Sequence, residues 1–140
     1  MTLEHKYTIV CEHARQEPAG RWTLIGLFPS GILATHVPLA LPMLTFYQEF
    51  RADTSGPVRL RGRLTQLDSG AQLAEMPPIQ IHVGSGTVSI PVGLGNIQFL
   101  AFGSYMWSVE IEGQKDPILT EFQVKHVPQQ VPFPMPGWKS

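Results

Sequence analysis

The sequence predicts an all-β fold, a single antiparallel β-sandwich of immunoglobulin-like or C2-like kind. Short stretches of alternating apolar and polar residues recur along the chain, and turn residues separate them about every 8–12 residues, which suits about eight or nine strands. Thirteen glycines and thirteen prolines among 140 residues favour many turns and few long helices. We predict a sandwich domain over residues 1–126 and a proline-rich tail over residues 127–140.

Composition and charge argue against several classes of protein. Apolar residues make up 43% of the chain and charged residues 15%, so it is not a highly charged disordered protein. The net charge of −1 gives no general attraction to nucleic acid or to an anionic membrane, and we expect neither as a partner. The N-terminus lacks a secretory signal pattern, and no run approaches the roughly 18 apolar residues of a spanning helix. We therefore expect a cytoplasmic protein.

Cys11 is the only cysteine. An intrachain disulfide and a cysteine-rich zinc site are therefore excluded, and we expect no disulfide-linked partner. His5 and His13 share strand parity with Cys11, but same-face neighbours on a strand are about 6–7 Å apart, too far to converge on zinc. We predict no metal site and no cofactor.

Alternation predicts the strands of the N-terminal half. They cover residues 5–11, 21–28, 44–50 and 58–64, with extended, proline-punctuated chain at residues 32–41. The clearest pattern is in the last strand, where the apolar parity predicts an inward face of Val58, Leu60, Gly62 and Leu64.

The C-terminal half is more interrupted. Residues 71–75 fit either a short helical turn or a loop, and strands are predicted at residues 79–83, 87–92 and 97–102, with a loop at residues 93–96. Pro91 lies inside one of these strands, which indicates a sheet edge or a strand end.

Residues 103–125 form the strongest predicted element, a β-hairpin. One face of its first strand is apolar, so a second sheet must cover it. We predict that Trp107 lies in the core, and that the Tyr105 hydroxyl ties a neighbouring loop, as in a tyrosine corner.

Several of these positions carry a resemblance to a known family. A first strand ends in Cys11, an Arg15-x-Glu17 loop follows, and a Gly20-Arg21 turn leads to a second strand with Ile25-Gly26-x-Phe28. A Gly103-x-Tyr105 strand comes late. This pattern resembles a family of small bacterial domains of unknown function. The resemblance implies a β-sandwich and a bacterial or phage source, and it transfers no catalytic residue.

The tail holds four prolines, too many for a sheet interior or a helix, which favours a polyproline-II-like backbone. Phe133, Met135 and Trp138 are candidate partner-binding anchors. Two interpretations stay open: the tail covers an apolar patch of its own domain, or it docks into a neighbouring subunit or partner.

Arg59, Arg61 and Arg63 form an arginine stripe on one strand face. We expect cross-strand carboxylates, Glu49 or Glu121, to balance it. The alternative is a contact patch for nucleic acid or an acidic partner, because arginine binds phosphates and carboxylates well. Arg15 and Glu17 are interpreted as a pair that braces the first long connection.

No nucleophile motif, phosphate loop or carboxylate pair stands out, so we predict no enzyme activity. The sequence favours a non-catalytic binding or assembly module, either with a protein partner or as a homo-oligomer. Two alternatives remain. One is a small-ligand binder or enzyme with a cleft at one sandwich end near His13, His36 and Arg15, and the other is a nucleic-acid or acidic-partner contact through the arginine stripe.

Overall fold

Residues 1–128 are described by a computed structural model, and they fold into nine strands. A single turn of 3₁₀ helix, Pro18–Gly20, joins the first two strands. In chain order the strands are β1 (Leu3–Gln16), β2 (Trp22–Leu27), β3 (Ile32–Ala34), β4 (Leu39–Ala52), β5 (Gly56–Gln66), β6 (Gln72–Val83), β7 (Gly86–Phe99), β8 (Gly103–Ile111) and β9 (Ile118–His126). Within these residues, no helix is long and apolar enough to cross a membrane.

The strands form two sheets that pack face to face. One has four strands in the order β2-β1-β4-β7, and the other has five in the order β3-β9-β8-β5-β6. All neighbours are antiparallel except β3 and β9, which run parallel over Val124–His126 of β9. The predicted β-sandwich and its strand number are confirmed.

The core lies between the two sheets, and aromatic rings fill its centre. Phe46 of β4 stacks on Trp107 of β8, with ring centroids 4.5 Å apart and planes 2° from parallel. Trp107 is fully buried, as predicted. The predicted inward face of β5 is also confirmed, because Val58, Leu60 and Leu64 are buried in the same cluster.

The hairpin of β8 and β9 has the predicted form. Tyr105 pairs with Phe122, and the register continues to Val109 opposite Ile118. The Tyr105 hydroxyl donates to the carbonyl of Ala101 at 2.6 Å, so it ties down the β7–β8 connection as a tyrosine corner does.

Two predictions for the C-terminal half are wrong. Of residues 71–75, all but Ala71 belong to β6, which pairs only with β5 and tolerates Pro77 and Pro78 because it is an edge strand. The predicted loop at residues 93–96 lies within a continuous β7. There the buried parity changes between Leu94 and Ile97, which hides the strand from a period-two reading.

β1 bends sharply and curls the β1–β2 hairpin over the outside of the four-stranded sheet. Tyr47 lies opposite Ile9 of β1, while Trp22 lies opposite Gln16. A straight strand would separate those two levels by about 23 Å at 3.3 Å per residue. The rings of Trp22 and Tyr47 nevertheless lie 5.8 Å apart. The bend therefore buries Tyr47 although it faces away from the core.

Candidate functional site

The arginine stripe lies on the exposed face of β5, beside β8. Arg61 donates to Glu110 from Nη2 at 2.6 Å and from Nε at 2.8 Å. Arg59 lies 3.6 Å from Glu112 through Nε, and Arg63 is opposite Glu75 in the register with β6. Each arginine therefore has a carboxylate on an adjoining strand or turn, and these carboxylates offset the repulsion along the stripe.

The carboxylates expected beside the stripe were the wrong ones. β8 lies between β5 and β9, which separates the stripe from Glu121. Glu49 belongs to the other sheet and accepts a hydrogen bond from the Tyr7 hydroxyl at 3.0 Å. The strand order decides this pairing, and alternation within single strands does not contain it.

An open groove of about 540 Å³ runs along the stripe. Arg59, Arg61 and Lys115 line it together with Glu110 and Glu112. Both members of the Arg61–Glu110 pair are about half exposed. Exposed pairs of this kind contribute about 0–1 kcal/mol each. The groove therefore presents mixed charge, with the arginines already engaged.

Arg15 and Glu17 lie together at the far end of the β1–β2 hairpin. Arg15 Nε donates to Glu17 Oε1 at 2.7 Å, and the same oxygen accepts from the Thr23 hydroxyl at 3.2 Å. The Glu17 amide donates to the Arg21 carbonyl at 2.7 Å. These contacts close the β1–β2 connection, residues 17–21, around Glu17. The connection is shorter than predicted because β1 continues to Gln16 and includes Arg15.

His5 and Cys11 of β1 do not share a face, although the sequence predicted that they would. A register shift between His5 and Tyr7 puts His5 on the side of Phe50, whose ring centroid is 5.5 Å away. Cys11 pairs with Thr45 on the opposite face. Within residues 1–128, no group of three or more histidine, cysteine or acidic side chains is placed to hold a metal ion.

Burial shifts the pKa values of both Cys11 and His5. It raises the pKa of the Cys11 thiol, which is fully buried, so the thiol form dominates at neutral pH. Burial likewise lowers the pKa of His5, with a smaller opposing effect from the Tyr7 backbone.

The remaining predicted site residues do not form a site within residues 1–128. Phe133, Met135 and Trp138 lie outside residues 1–128. His13, His36 and Arg15 were the proposed cleft residues, and none of them lines the grooves described in this section.

A second surface, which we call the lateral groove, was not predicted. It has a volume of about 660 Å³ and lies between β1 and β9, closed at one end by the β2–β3 connection. Its apolar lining consists of Ile9, Val10, Leu27, Phe28 and Phe122. Strand adjacency creates this groove, so no local sequence signal could have found it.

Both sheets have an unpaired edge at the lateral groove. β3 pairs with β9 only at residues 124–126, and no other strand of residues 1–128 pairs on that side of β9. β2 pairs with β1 from Cys11 onward, and the Phe28 amide donates to the Val10 carbonyl at 3.0 Å. Beyond those points alternate peptide groups of β1 and β9 point to an edge that has no paired strand among residues 1–128.

Comparison with known proteins decides the family. A family model described as a family of unknown function (DUF6941) matches residues 6–125. The chain belongs to this family. DUF6941 carries no assigned activity, in agreement with the resemblance drawn from the sequence. No curated protein matches the chain.

One solved structure gives the fold an independent comparison. The crystal structure of the C-terminal domain of wzt is similar to this DUF6941 chain with a TM-score of 0.50 and 14% sequence identity. The match covers 95% of this chain and 83% of that chain. At this identity the likeness concerns the fold.

Proposed function

We propose that this DUF6941 protein is a non-catalytic binding and assembly module of a bacterial or phage complex, acting in the cytoplasm. Residues 127–140 carry the contact, with Phe133, Met135 and Trp138 as the anchoring side chains. The proposal rests on one observation: an open, apolar groove adjoins the strand that leads into this segment.

The state of the sheet edges supports the proposal. An unpaired edge strand is a template for another chain, and proteins commonly protect it with proline. β6 carries Pro77 and Pro78, and β7 carries Pro91. The open part of β9, residues 118–122, contains no proline. Its peptide groups that face away from β8, at Leu119 and Glu121, therefore stay available beside the lateral groove.

Exposed apolar side chains near the lateral groove and on β9 also support the proposal. Leu27 lines the groove and is 54% exposed, and Leu119 on β9 is 55% exposed. Large apolar side chains beside an open strand edge favour association with another polypeptide over isolation in water.

Native mass spectrometry tests the proposal. The full chain should have a mass well above 15.5 kDa, or gain one with a purified partner, and deletion of residues 127–140 should remove that association. Stoichiometric zinc or a co-purifying small ligand would overturn it in favour of a ligand-binding or enzymatic role. Association that survives the deletion would remove the role assigned to the segment.

A further inference from the structure

We propose that the lateral groove binds residues 131–136 of a second copy of this chain as an added strand, parallel to β9, on the open edge of β9. The inference rests on the proposed function and specifies its partner and its receptor. Each copy then supplies its C-terminal segment to the other, as in a two-fold exchange of identical elements.

The direction of the peptide groups on β9 defines the receptor edge. A Cβ atom on Gly31 would lie 2.6 Å from the Gln123 carbonyl oxygen, so that carbonyl faces the β3 side of β9. The amide and carbonyl of one strand residue point to the same side, and alternate residues share that side. Glu121 and Leu119 therefore direct their peptide groups to the same edge, beyond the end of β3.

The proline pattern of the segment suits an added strand that pairs on one side only. Residues 131–136 read Val-Pro-Phe-Pro-Met-Pro. Val131, Phe133 and Met135 keep their amide groups and share one side of an extended chain. The three prolines occupy the other side, where they offer no donor, and each also restrains the residue before it to extended conformations. Such a strand can pair with β9 but cannot recruit a further strand.

The side chains fit the same placement. In a segment that runs parallel to β9, residues whose peptide groups face β9 lie opposite Thr120 and Phe122, so the side chains of Val131, Phe133 and Met135 project to the inner face of the sheet. The lateral groove offers them an apolar lining that includes Val10, Phe28 and Phe122. Backbone pairing and side-chain burial then fall on the same part of β9, where Leu119 and Glu121 direct their peptide groups to the open edge.

Chain length selects a second copy over the same copy. The Val127 amide donates to the Ala34 carbonyl at 2.9 Å, which fixes the chain beside the end of β3. Glu121 lies six residues back along β9, or about 20 Å at 3.3 Å per residue. The six residues from Val127 to Phe133 span about 21 Å when fully extended. That length leaves nothing for reversing direction and passing around β3.

A mixing experiment with two purified variants tests the proposal. One lacks residues 129–140 and keeps the groove. The other carries Glu121→Pro, which removes an amide that faces the open edge and leaves the pairing with β8 intact. Light scattering should give a dimer, about twice 15.5 kDa, for the full chain and a monomer for each variant alone. An equimolar mixture of the two variants should form a dimer again, through one intact segment and one intact groove.

A proline scan of the segment provides the matched control. Phe133→Pro and Met135→Pro remove amides predicted to pair with β9, so each should dissociate the dimer. Pro132→Ala and Pro134→Ala change the opposite side and should leave a dimer. If Glu121→Pro fails to fold by circular dichroism, Leu27→Arg blocks the groove at a half-exposed position instead.

The outcomes separate this inference from the proposed function. Monomers in the mixture, or a dimer that tolerates Phe133→Pro, would overturn the added-strand model. If association is still lost on deletion of residues 127–140, the segment remains the assembly contact and only its receptor is reassigned. A full chain that stays monomeric and docks its segment on itself would overturn the exchange between copies.

Discussion

The indole Nε1 of Trp107 donates a hydrogen bond of 3.2 Å to the side-chain Oε1 of Gln48, across the space between the two sheets. The amide nitrogen of the same glutamine donates to the Ile90 carbonyl at 3.2 Å. Trp107 and Gln48 are both fully buried. Three strands, β8, β4 and β7, are thus joined through one side chain, and no buried polar side-chain atom of residues 1–128 lacks a hydrogen-bond partner. The arrangement fixes how the sheets sit against each other.

Replacing Gln48 with leucine should lower the free energy of unfolding. The side chains have similar size, but the Trp107 indole N–H would lose its acceptor in a dry environment, at a cost of about 1–3 kcal/mol. Urea denaturation followed by tryptophan fluorescence measures the change. Gln98→Leu makes the same chemical change at an exposed position of β7 and should stay within about 0.5 kcal/mol of wild type.

A double-mutant cycle of Trp107 and Gln48 tests whether the hydrogen bond itself causes this loss of stability. In a Trp107→Phe background the donor is gone, so adding Gln48→Leu should cost less than it does in the wild type. Strictly additive losses would contradict a direct contribution of the hydrogen bond.

Gly62 should not tolerate alanine, for a purely steric reason. A Cβ atom there would lie 2.6 Å from Cζ2 of the Trp107 ring, well inside normal contact distance. We expect Gly62→Ala to cost about 1–3 kcal/mol in free energy of unfolding, as for other overpacked cores. Denaturant titration gives the value. Gly84→Ala is the control, since its Cβ would meet nothing within 4 Å, and stability equal to that of Gly62→Ala would contradict the explanation.

Gly62 also illustrates how far the sequence could be read. Its parity with Leu60 and Leu64 gave the inward face of β5, and the hairpin alternation gave the core position of Trp107. The reason for glycine appears only when β8 is placed beside β5, because the ring of Trp107 occupies the space of the missing side chain. The direction in which a side chain faces within its own strand was predictable from the sequence. Contacts between side chains of different strands could be found only once the order of strands in the sheet was known.

The same limit explains the errors at the candidate sites. Local alternation found the arginine stripe but assigned its partners to Glu49 and Glu121 in place of Glu110 and Glu112. A register shift of one residue after His5 moved that side chain to the opposite face from Cys11. The lateral groove depends on where β2 and β3 stop pairing with their neighbours, which no single segment encodes.

His5 should make stability depend on pH below neutrality. Its pKa in the folded protein is lowered from the ordinary value of 6.5, mainly by burial, so the unfolded chain binds the proton more readily. Stability therefore falls as pH drops through 6.5 and levels off below the folded pKa. His5→Phe keeps an aromatic ring beside Phe50 and should reduce this slope.

The slope of stability against pH is obtained from urea midpoints measured between about pH 5 and 8, the range in which histidine titrates. His82→Gln removes an exposed histidine and should leave the wild-type slope in place. An unchanged slope in His5→Phe would assign the pH dependence to other groups.

The carboxylates beside the arginine stripe should prevent it from binding polyanions. Arg61 and Arg59 are paired with Glu110 and Glu112, so little uncompensated positive charge faces solvent. The double variant Glu110→Gln, Glu112→Gln should release both guanidinium groups. We expect no heparin retention for wild type at about 0.15 M salt. The variant should be retained, and its retention should weaken as salt rises, because salt screens the charges and reduces the gain from counterion release.

The control variant, Glu4→Gln with Glu12→Gln, changes the net charge equally on the other sheet and should not be retained. Steeply salt-dependent retention of the wild type would contradict this account and favour a nucleic-acid contact through the stripe.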